Sequence, residues 1–219
     1  MDDVVTERTY YFSDLLEMET EVVRCEAQED GQFRVQLAAT LFHPQGGGQP
    51  ADRGTIGDAN VLQLIQEEGE LIHITDRQVA LGCVHIQIDA ALRKLHTRYH
   101  SAGHLIAYAG EKFGWLGYKG DHRPGNGRIV FKPQAEPQAV DEAAIAEGVD
   151  ALVAQDLARV LRDDAGRRMI SWGDLTPYAC GGTHVQRTSD VGDIVITRVK
   201  EKKGELSVQY EVRIDEQAN

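Results

Sequence analysis

Two short stretches of the chain each offer a pair of metal-binding side chains. His100 and His104 enclose Ser-Ala-Gly, and Cys180 and His184 enclose Gly-Gly-Thr. Positions i and i+4 of a helix lie on one face, so the first pair can aim both imidazoles at one point. The glycines of the second pair favour a tight turn instead. Three imidazoles and a thiolate suit Zn²⁺ best among the common divalent metals, so we predict a zinc site formed by these four residues.

The coordination number leaves several roles for such a zinc open. Either pair by itself indicates little, because a His-x-x-x-His pair on an amphipathic helix more often packs in the core or faces solvent. Four protein ligands are typical of a closed structural site, whereas catalysis needs an open position. A loosely held ligand, a five-coordinate metal, or a zinc that mainly orients substrate would each resolve this tension. His96 lies one turn before His100, and we expect it to support a ligand rather than to bind the metal.

The two stretches and a third one resemble the motifs of a known family. Residues 100–106 are similar to the H-[ST]-A-x-H-L-L signature of alanyl-tRNA synthetase editing domains, and residues 180–185 to their C-G-G-T-H-V signature. Residues 42–54 resemble the glycine-rich motif of free-standing alanyl-tRNA editing proteins of the AlaX type. A related editing domain occurs in threonyl-tRNA synthetase. The three matches keep the order of the family and span most of the chain.

The pattern of short β-rich segments predicts the first domain. Segments rich in β-branched residues, separated by Gly, Asp and Asn, predict strands, and residues 10–12 are expected to start another. The five predicted strands are residues 20–25, 33–38, 61–65, 71–75 and 83–88. Strands at this spacing favour a small β-barrel over residues 1–89, with the glycine-rich motif as a loop between strands.

Residues 90–219 are expected to form an α+β zinc-binding editing domain, with helices packed on an antiparallel sheet. Asp89 is a suitable N-cap for a helix over residues 90–113, and an apolar stripe predicts a second helix over residues 140–161. Residues 117–122 are expected to form a turn and residues 133–139 a linker. The predicted strands of this domain are residues 127–132, 168–172, 193–199 and 206–214. The fold class is therefore α+β.

The glycine-rich loop and the segment around Lys119 supply the other candidate site residues. Gly46, Gly47 and Gly48 would let a backbone approach a ligand closely, although a flexible hairpin is the plainer interpretation. The resemblance implies that this loop faces the zinc site, and that residues 118–121 lie beside the pocket. Asp121 stands where the family usually has Ser. The candidate catalytic residues are Gln49, Lys119 and Asp121. The candidate contacts to tRNA or substrate are Gly46, Gly47, Gly48, Arg123 and Thr183.

The charge distribution allows a nucleic-acid partner despite the overall acidity. The chain of 219 residues has a formal net charge of −12. Residues 1–90 hold 17 acidic residues against five Arg, whereas residues 91–133 hold eight basic residues against two acidic ones. A local positive patch is enough to bind RNA phosphates. We expect Lys119 and Arg123 in this basic segment to contact the acceptor end of a tRNA.

Composition also bears on the expected compartment. No run of about 18 apolar residues exists, so we expect no membrane span. The acidic N-terminus does not resemble a secretory signal, and the three cysteines do not form a disulfide pattern. A reducing cytoplasm is therefore expected, and it would keep a zinc-binding Cys180 reduced.

The resemblance implies a hydrolase that removes a wrong amino acid from tRNA(Ala) in trans, with Ser-tRNA(Ala) as the main substrate and Gly-tRNA(Ala) as a second. We find no synthetase module or nucleotide-binding motif, so no nucleotide cofactor is expected. Two alternatives are a zinc hydrolase for a small-molecule ester or amide, and a non-catalytic tRNA-binding module with structural zinc.

Overall fold

A computed structural model describes residues 5–213, which divide into two compact units. The first unit contains residues 5–46 and 50–94, and the second contains residues 47–49 and 95–213. Three residues of the glycine-rich motif therefore group with the second unit although they lie early in the chain. The domain boundary predicted between residues 89 and 90 stays a proposal.

The first unit is built from eight short strands. They are β1 (Glu7–Arg8), β2 (Glu17–Ala27), β3 (Phe33–Leu37), β4 (Ala39–Thr40), β5 (Gly54–Ile56), β6 (Ala59–Glu67), β7 (Glu70–Thr75) and β8 (Gly82–Ile88). Six form one antiparallel sheet in the order β2-β3-β7-β6-β5-β8, and β8 pairs with β2, so that the sheet closes on itself. Val35, Leu37 and Ile86 are fully buried in its core. The five predicted strands are all present, but the ring closes only through β5, which was not predicted and which pairs with both β6 and β8.

The strand expected to start at residues 10–12 is not formed. Thr9–Tyr11 is a 3₁₀ turn instead. Tyr10 is buried, and its ring meets the rings of Tyr11 and His43 edge-on, with centroids 5.0 and 5.5 Å away. Three consecutive aromatic residues indicated a strand, but packing of the middle ring decides the local backbone.

A buried ion pair holds the two ends of the glycine-rich loop. Arg93 Nε lies 3.0 Å from Asp52 Oδ1, and Arg93 Nη2 donates to the carbonyl oxygen of Leu41. Asp52 also accepts a hydrogen bond of 2.7 Å from the backbone N–H of His43. The loop between residues 43 and 52 therefore has a fixed stem, because both of its ends bond to the same guanidinium–carboxylate pair.

The second unit combines two helices with two antiparallel sheets. Its elements are α1 (Ala90–Glu111), which begins in the first unit, β9 (Trp115–Asp121), β10 (Arg128–Pro133), α2 (Glu142–Ala154), β11 (Arg159–Asp164), β12 (Arg167–Trp172), β13 (Tyr178–Ala179), β14 (Asp193–Lys202) and β15 (Glu205–Arg213). The sheets run in the orders β14-β15-β10-β9 and β11-β12-β13. Leu105 and Ile106 of α1 share one core with Phe131 and Leu206 of the larger sheet. The α+β class, with helices against an antiparallel sheet, is confirmed. Neither helix in the described part of the chain is long and apolar enough to span a membrane.

Helix α1 starts where the sequence predicted. Asp89 Oδ1 accepts a hydrogen bond of 3.0 Å from the N–H of Leu92, which satisfies one of the free donors of the first turn. The helix ends at Glu111, two residues before the predicted end.

The predicted helix over residues 140–161 is wrong in its last third. Helix α2 ends at Ala154, and residues 159–161 belong to strand β11. Asp156 has a φ of +49°, and its N–H bonds to the carbonyl of Val153, which stops the helix. The N–H of Leu157 then bonds to Thr188 Oγ1. Two apolar residues beyond Ala154 continued the helical stripe, but Leu157 lies in the irregular segment after the helix and Val160 lies in β11.

The predicted turn at residues 117–122 is also wrong, because most of it forms strand β9. Gly120 pairs with Ile129 of β10, and a Cβ on Gly120 would lie 2.6 Å from His122 Nε2. Glycine is used here for close packing against a ring rather than for a turn. The strand predicted to end at residue 214 ends at Arg213, and residue 214 lies outside the described residues.

Candidate metal centre

The four predicted metal ligands lie together in the second unit. His100, His104, Cys180 and His184 each offer one ligand atom, and these atoms all lie within 4.8 Å of one another. Helix α1 supplies the first two from successive turns, and the irregular segment after β13 supplies the other two. Cys180 Sγ lies 3.5 Å from His100 Nε2 and 3.3 Å from His184 Nε2. We call these four residues the His/Cys cluster. His96 is buried but lies outside it.

Hydrogen bonds orient two of the three imidazoles of the cluster. His100 Nδ1 lies 2.7 Å from Gln49 Oε1, and His184 Nδ1 lies 3.0 Å from Ser101 Oγ. Because an amide oxygen only accepts, His100 must carry its proton on Nδ1, which leaves the lone pair of Nε2 directed to the cluster. Such a partner for the outer ring nitrogen is the usual support of a metal-binding histidine.

Glycine is required where the second motif approaches the first. A Cβ on Gly182 would lie 2.2 Å from His100 Cε1 and Nδ1, and 2.8 Å from Gln49 Oε1. Gly48 has a φ of +82°, and a Cβ there would lie 2.4 Å from the carbonyl oxygen of Gly120. The glycine-rich loop is therefore packed tightly at Gly48, and the interpretation as a flexible hairpin does not hold at this position. Gly46 and Gly47 face open space.

Two arginines fix the backbone of the segment that carries Cys180 and His184. Arg168 Nη1 donates to the carbonyl oxygens of Cys180 and Gly182, at 2.7 and 2.8 Å. Arg159 Nη1 donates to the carbonyl of His184 at 2.6 Å. Sequence reasoning missed both residues, because an arginine in a strand carries no local mark of what its side chain reaches.

Burial controls the protonation of the cluster. It lowers the pKa of His104 to about 3, and it lowers the pKa of His184 well below its ordinary value. Burial also raises the pKa of the Cys180 thiol, although the N–H of Gly182, 3.4 Å from Sγ, acts in the opposite direction. The imidazoles of His104 and His184 are therefore neutral and keep their lone pairs, while the thiolate form of Cys180 needs a nearby cation. Among the described residues, His104 Nδ1 is buried without a hydrogen-bond partner. The three imidazoles and the thiol of the His/Cys cluster together fit a zinc ion.

His122 is a fourth histidine beside the cluster that sequence reasoning missed. Its ring stacks on that of His100, with centroids 4.3 Å apart and an interplanar angle of 25°. Its Nδ1 lies 2.8 Å from the hydroxyl of Tyr210, which itself donates to the carbonyl of Tyr99. Since the tyrosine proton is used in that second bond, His122 Nδ1–H is the donor to Tyr210. Burial lowers the pKa of His122 to about 4. The only signal in the sequence was that His122 directly follows residues 118–121, which the resemblance implies lie beside the pocket.

A small pocket of about 160 Å³ opens beside the cluster. It is lined by Gly103, His104, Ala107, Gly117, Tyr118, Lys119, Gly120, His122, Ile129, Tyr178 and Ala179. The hydroxyl of Tyr178 is buried and has no hydrogen-bond partner within residues 5–213. The pocket is therefore lined by one cluster ligand, one lysine and one tyrosine whose hydroxyl is buried.

The other predicted site residues are found in different settings. Gln49 is fully buried, and its amide oxygen also accepts from the N–H of Thr183 at 3.0 Å, while its Nε2 donates to Thr183 Oγ1 at 2.8 Å. Asp121 and Arg123 form an ion pair with each other, which lowers the pKa of Asp121. Lys119 lines the pocket. The catalytic and substrate-binding roles of these residues stay predictions.

Comparison with known proteins shows which proteins this chain is similar to. Residues 168–207 match the threonyl and alanyl tRNA synthetase second additional domain, a segment that contains Cys180 and His184. The alanyl-tRNA editing protein Aarsd1 of Rattus norvegicus is 32% identical over 222 residues, covering 85% of this chain and 53% of that protein. The alanyl-tRNA editing protein AlaX-L of Pyrococcus horikoshii is 27% identical, covering 92% and 56%. An alanine–tRNA ligase of Halobacterium salinarum is 27% identical, covering 89% and 24%.

The chain thus spans about half the length of the curated editing proteins it matches. The matches cover both units and include all three motifs on which the resemblance was based. The chain is therefore a relative of the alanyl-tRNA editing proteins, and its residues 168–207 are similar to the threonyl and alanyl tRNA synthetase second additional domain.

Proposed function

We propose that the protein is a hydrolase that deacylates mischarged tRNA(Ala) in trans, with Ser-tRNA(Ala) as its main substrate and Gly-tRNA(Ala) as a second. The observation that carries this proposal is the His/Cys cluster, whose ligand atoms lie within 4.8 Å of one another beside a pocket of about 160 Å³. The relationship to alanyl-tRNA editing proteins supports the substrate class. In the reaction water attacks the ester carbon, and the bond to the ribose oxygen of the terminal adenosine breaks.

We propose zinc as the metal, held by His100, His104, Cys180 and His184. Imidazole nitrogens and a thiolate are the donors that zinc prefers, and hydrogen bonds orient the outer nitrogens of His100 and His184. A bound zinc supplies Lewis-acid chemistry, by polarising a carbonyl, acidifying a water or holding an amino group.

Gln49 acts in this proposal as a positioning residue rather than as a reader of substrate. Its amide oxygen accepts from both His100 Nδ1–H and the N–H of Thr183, and its amide nitrogen donates to Thr183. Each polar atom of the side chain is therefore already engaged. Its effect on the reaction passes through the orientation of His100 and of the segment before His184.

The size and polarity of the pocket support a small aminoacyl group. A pocket of about 160 Å³ has room for a small group such as glycyl or seryl. When two amino acids differ by one small group, a synthetase pocket binds them with free energies only about 1–3 kcal/mol apart. A second site that hydrolyses the wrong product is therefore needed. We propose that the unsatisfied hydroxyl of Tyr178 reads the serine hydroxyl. Asp121 is engaged with Arg123 instead.

We propose that Lys119 contacts the acceptor end of the tRNA. It is exposed and lines the pocket, and no carboxylate within residues 5–213 pairs with it. The charge of Arg123 is balanced by Asp121, so Arg123 contributes less to the attraction of phosphates.

The test is the rate at which labelled amino acid leaves purified Ser-, Gly- and Ala-tRNA(Ala). We expect Ser-tRNA(Ala) to be hydrolysed fastest and Ala-tRNA(Ala) to be spared. The variant His104→Ala with Cys180→Ala should be inactive. The matched variant Cys83→Ala with His85→Ala, which removes the same residue types from exposed positions, should keep full activity.

Other outcomes would point to other functions. No hydrolysis of any of the three would refute the proposal. Tight tRNA binding without hydrolysis would indicate a binding module with structural zinc. Hydrolysis of simple esters without any preference for tRNA would indicate a small-molecule hydrolase.

A further inference from the structure

The outer face of the larger sheet carries a groove rich in positive charge. It has a volume of about 380 Å³. It is lined by Arg128, Val130, Arg198, Lys200, Lys202, Lys203, Glu205, Ser207 and Gln209. Five of these nine residues are cationic and one is anionic, in a chain whose formal net charge is −12. We call it the cationic groove.

Strand register explains why these cations share one face. Arg198 and Lys200 of β14 stand opposite Gln209 and Ser207 of β15, and Arg128 of β10 stands opposite Gln209 from the other side. Residues two apart on a strand point to the same face. The residues between them on β15, which are Leu206, Val208 and Tyr210, are buried in the core. The cations therefore face away from the core, as a row of three on β14 on one side of β15 and as Arg128 of β10 on the other.

The charges of the groove are not balanced within the described protein. Within residues 5–213, none of its five cations lies within 4.0 Å of a carboxylate, whereas Arg123 and Arg187 each have a carboxylate partner. The one acidic residue of the groove, Glu205, accepts a hydrogen bond of 2.5 Å from Tyr118. Lys132 is a further cation next to Tyr118, with its Nζ 4.2 Å from the centroid of the Tyr118 ring. Like charges on neighbouring positions of a sheet repel, so a polyanion that binds there relieves this repulsion.

A second depression adjoins the cationic groove and reaches the residue before His122. It has a volume of about 420 Å³, shares Arg128 and Gln209 with the cationic groove, and extends to Asp121. His122, the next residue, lines the pocket beside the His/Cys cluster. Along β14, the groove from Lys202 to Arg198 spans about 13 Å at ~3.3 Å per residue, which is enough for several successive phosphates.

We infer that the cationic groove binds the phosphate backbone of the tRNA acceptor stem, while the 3′ end follows the second depression to the pocket. This rests on the proposed function for the identity of the RNA. Uncompensated cations in a row are the contacts that a phosphate backbone makes without reading sequence. The groove thus supplies affinity, and the pocket supplies the choice of amino acid.

The test compares two triple variants that lose the same charge. The groove variant carries Arg198→Gln, Lys200→Gln and Lys202→Gln. The control variant carries Lys112→Gln, Arg162→Gln and Arg167→Gln, all at exposed positions outside the groove. Binding of tRNA(Ala) and of an acceptor-stem minihelix is measured over a range of salt concentrations. For the groove variant we expect roughly tenfold weaker binding of both RNAs, and a salt slope smaller by about 2 to 3. The control variant should bind like the wild type.

A second measurement separates this inference from the proposed function. Hydrolysis of seryl ester on a short CCA oligonucleotide, which lacks the stem, should be equal in the groove variant and the wild type, while KM for Ser-tRNA(Ala) rises in the groove variant. Equal binding and equal salt slopes for the two triple variants would overturn the inference even if deacylation is found. Weaker binding of tRNA(Ala) but not of the minihelix would overturn the assignment to the acceptor stem. If no tRNA is deacylated but the groove variant still binds both RNAs more weakly, the proposed function is wrong, and the assignment of the cationic groove to RNA binding is supported.

Discussion

Gln49 Oε1 lies 2.7 Å from His100 Nδ1, and through this contact a residue of the glycine-rich motif determines which ring nitrogen of a cluster histidine is free. Gln49 and His100 are 51 positions apart in the chain, yet both belong to the second unit. Thr183 is bonded to the same amide, and Thr183 Oγ1 lies 2.6 Å from Thr97 Oγ1 of helix α1. The three sequence motifs therefore meet in one network rather than forming separate features.

Replacement of Gln49 should weaken the cluster without removing it. In Gln49→Ala, we expect zinc to remain bound but to be lost to a chelator at about 10- to 100-fold lower chelator concentration, and deacylation to slow by a similar factor. Gln49→Glu keeps an acceptor for His100 and should restore most of both properties. Gln134→Ala, at an exposed position, serves as the control. If Gln49→Ala matches the wild type in both measurements, the loop is only scaffolding.

The cluster predicts about one zinc per chain, measured by elemental analysis of the purified protein. The variant His104→Ala with Cys180→Ala should contain none, while Cys83→Ala with His85→Ala should contain as much as the wild type. Removal of zinc should also lower the melting temperature, because metal binding to a folded site adds to folding stability.

A cobalt-substituted sample tests the thiolate even where the double variant folds poorly. The wild type should show a thiolate-to-cobalt charge-transfer band that Cys180→Ser lacks. Equal zinc content in the two double variants would contradict the ligand assignment.

The stability of the first unit should fall in mild acid because of His73. This side chain is fully buried, with Nε2 2.8 Å from Thr40 Oγ1 and Nδ1 3.2 Å from the carbonyl of Val35. Burial lowers its pKa from 6.5 to about 4, so the unfolded chain binds a proton more readily than the folded protein does. The stabilisation is fully present above pH 6.5 and is lost as the pH falls from 6.5 to 4. It amounts to about 3 kcal/mol at 1.36 kcal/mol per pKa unit.

The measurement for His73 is the free energy of unfolding by urea at several pH values, under one fixed zinc concentration. His73→Gln should remove part of the decline between pH 6.5 and 4, whereas His85→Gln, at an exposed position, should leave the decline unchanged. An identical pH dependence in His73→Gln and the wild type would assign the decline to other groups.

Local patterns predicted the parts of the site that depend on spacing along the chain. His100 and His104 could be placed on one helix face from their separation alone, and Asp89 marked the start of that helix. Contacts between distant segments could not be predicted in this way. His122 reaches the cluster because strand β9 lies against helix α1, and Arg168 reaches it because β12 pairs with β13.

The errors in secondary structure have the same origin. After helix α2, the N–H of Leu157 bonds to Thr188, 31 residues away, and not to the helix. The glycines of β9 indicated a turn because the sequence does not show what packs on them. In both cases a tertiary contact overrode a local preference, as is common where propensities are weak.

The choice between serine and glycine should depend on Tyr178. Its hydroxyl is buried near the pocket and lacks a partner within residues 5–213, whereas the hydroxyl of the neighbouring Tyr108 donates to the carbonyl of Thr176 at 2.6 Å. Loss of an unpaired buried hydroxyl costs the fold nothing, so Tyr178→Phe should melt at or slightly above the wild-type temperature. A hydrogen bond to the serine hydroxyl worth about 1 kcal/mol would be lost, and kcat/KM for Ser-tRNA(Ala) should fall roughly fivefold, while that for Gly-tRNA(Ala) stays constant.

Tyr108→Phe is the matched control for this prediction. It removes a hydroxyl that is already satisfied inside the protein, so it should lower the melting temperature but leave the ratio of the two rates unchanged. The decisive quantity is that ratio, because a general loss of activity changes both rates together. If Tyr178→Phe preserves the ratio, Tyr178 does not read the hydroxyl, and selectivity for serine must come from the shape of the pocket around Lys119 and Gly120.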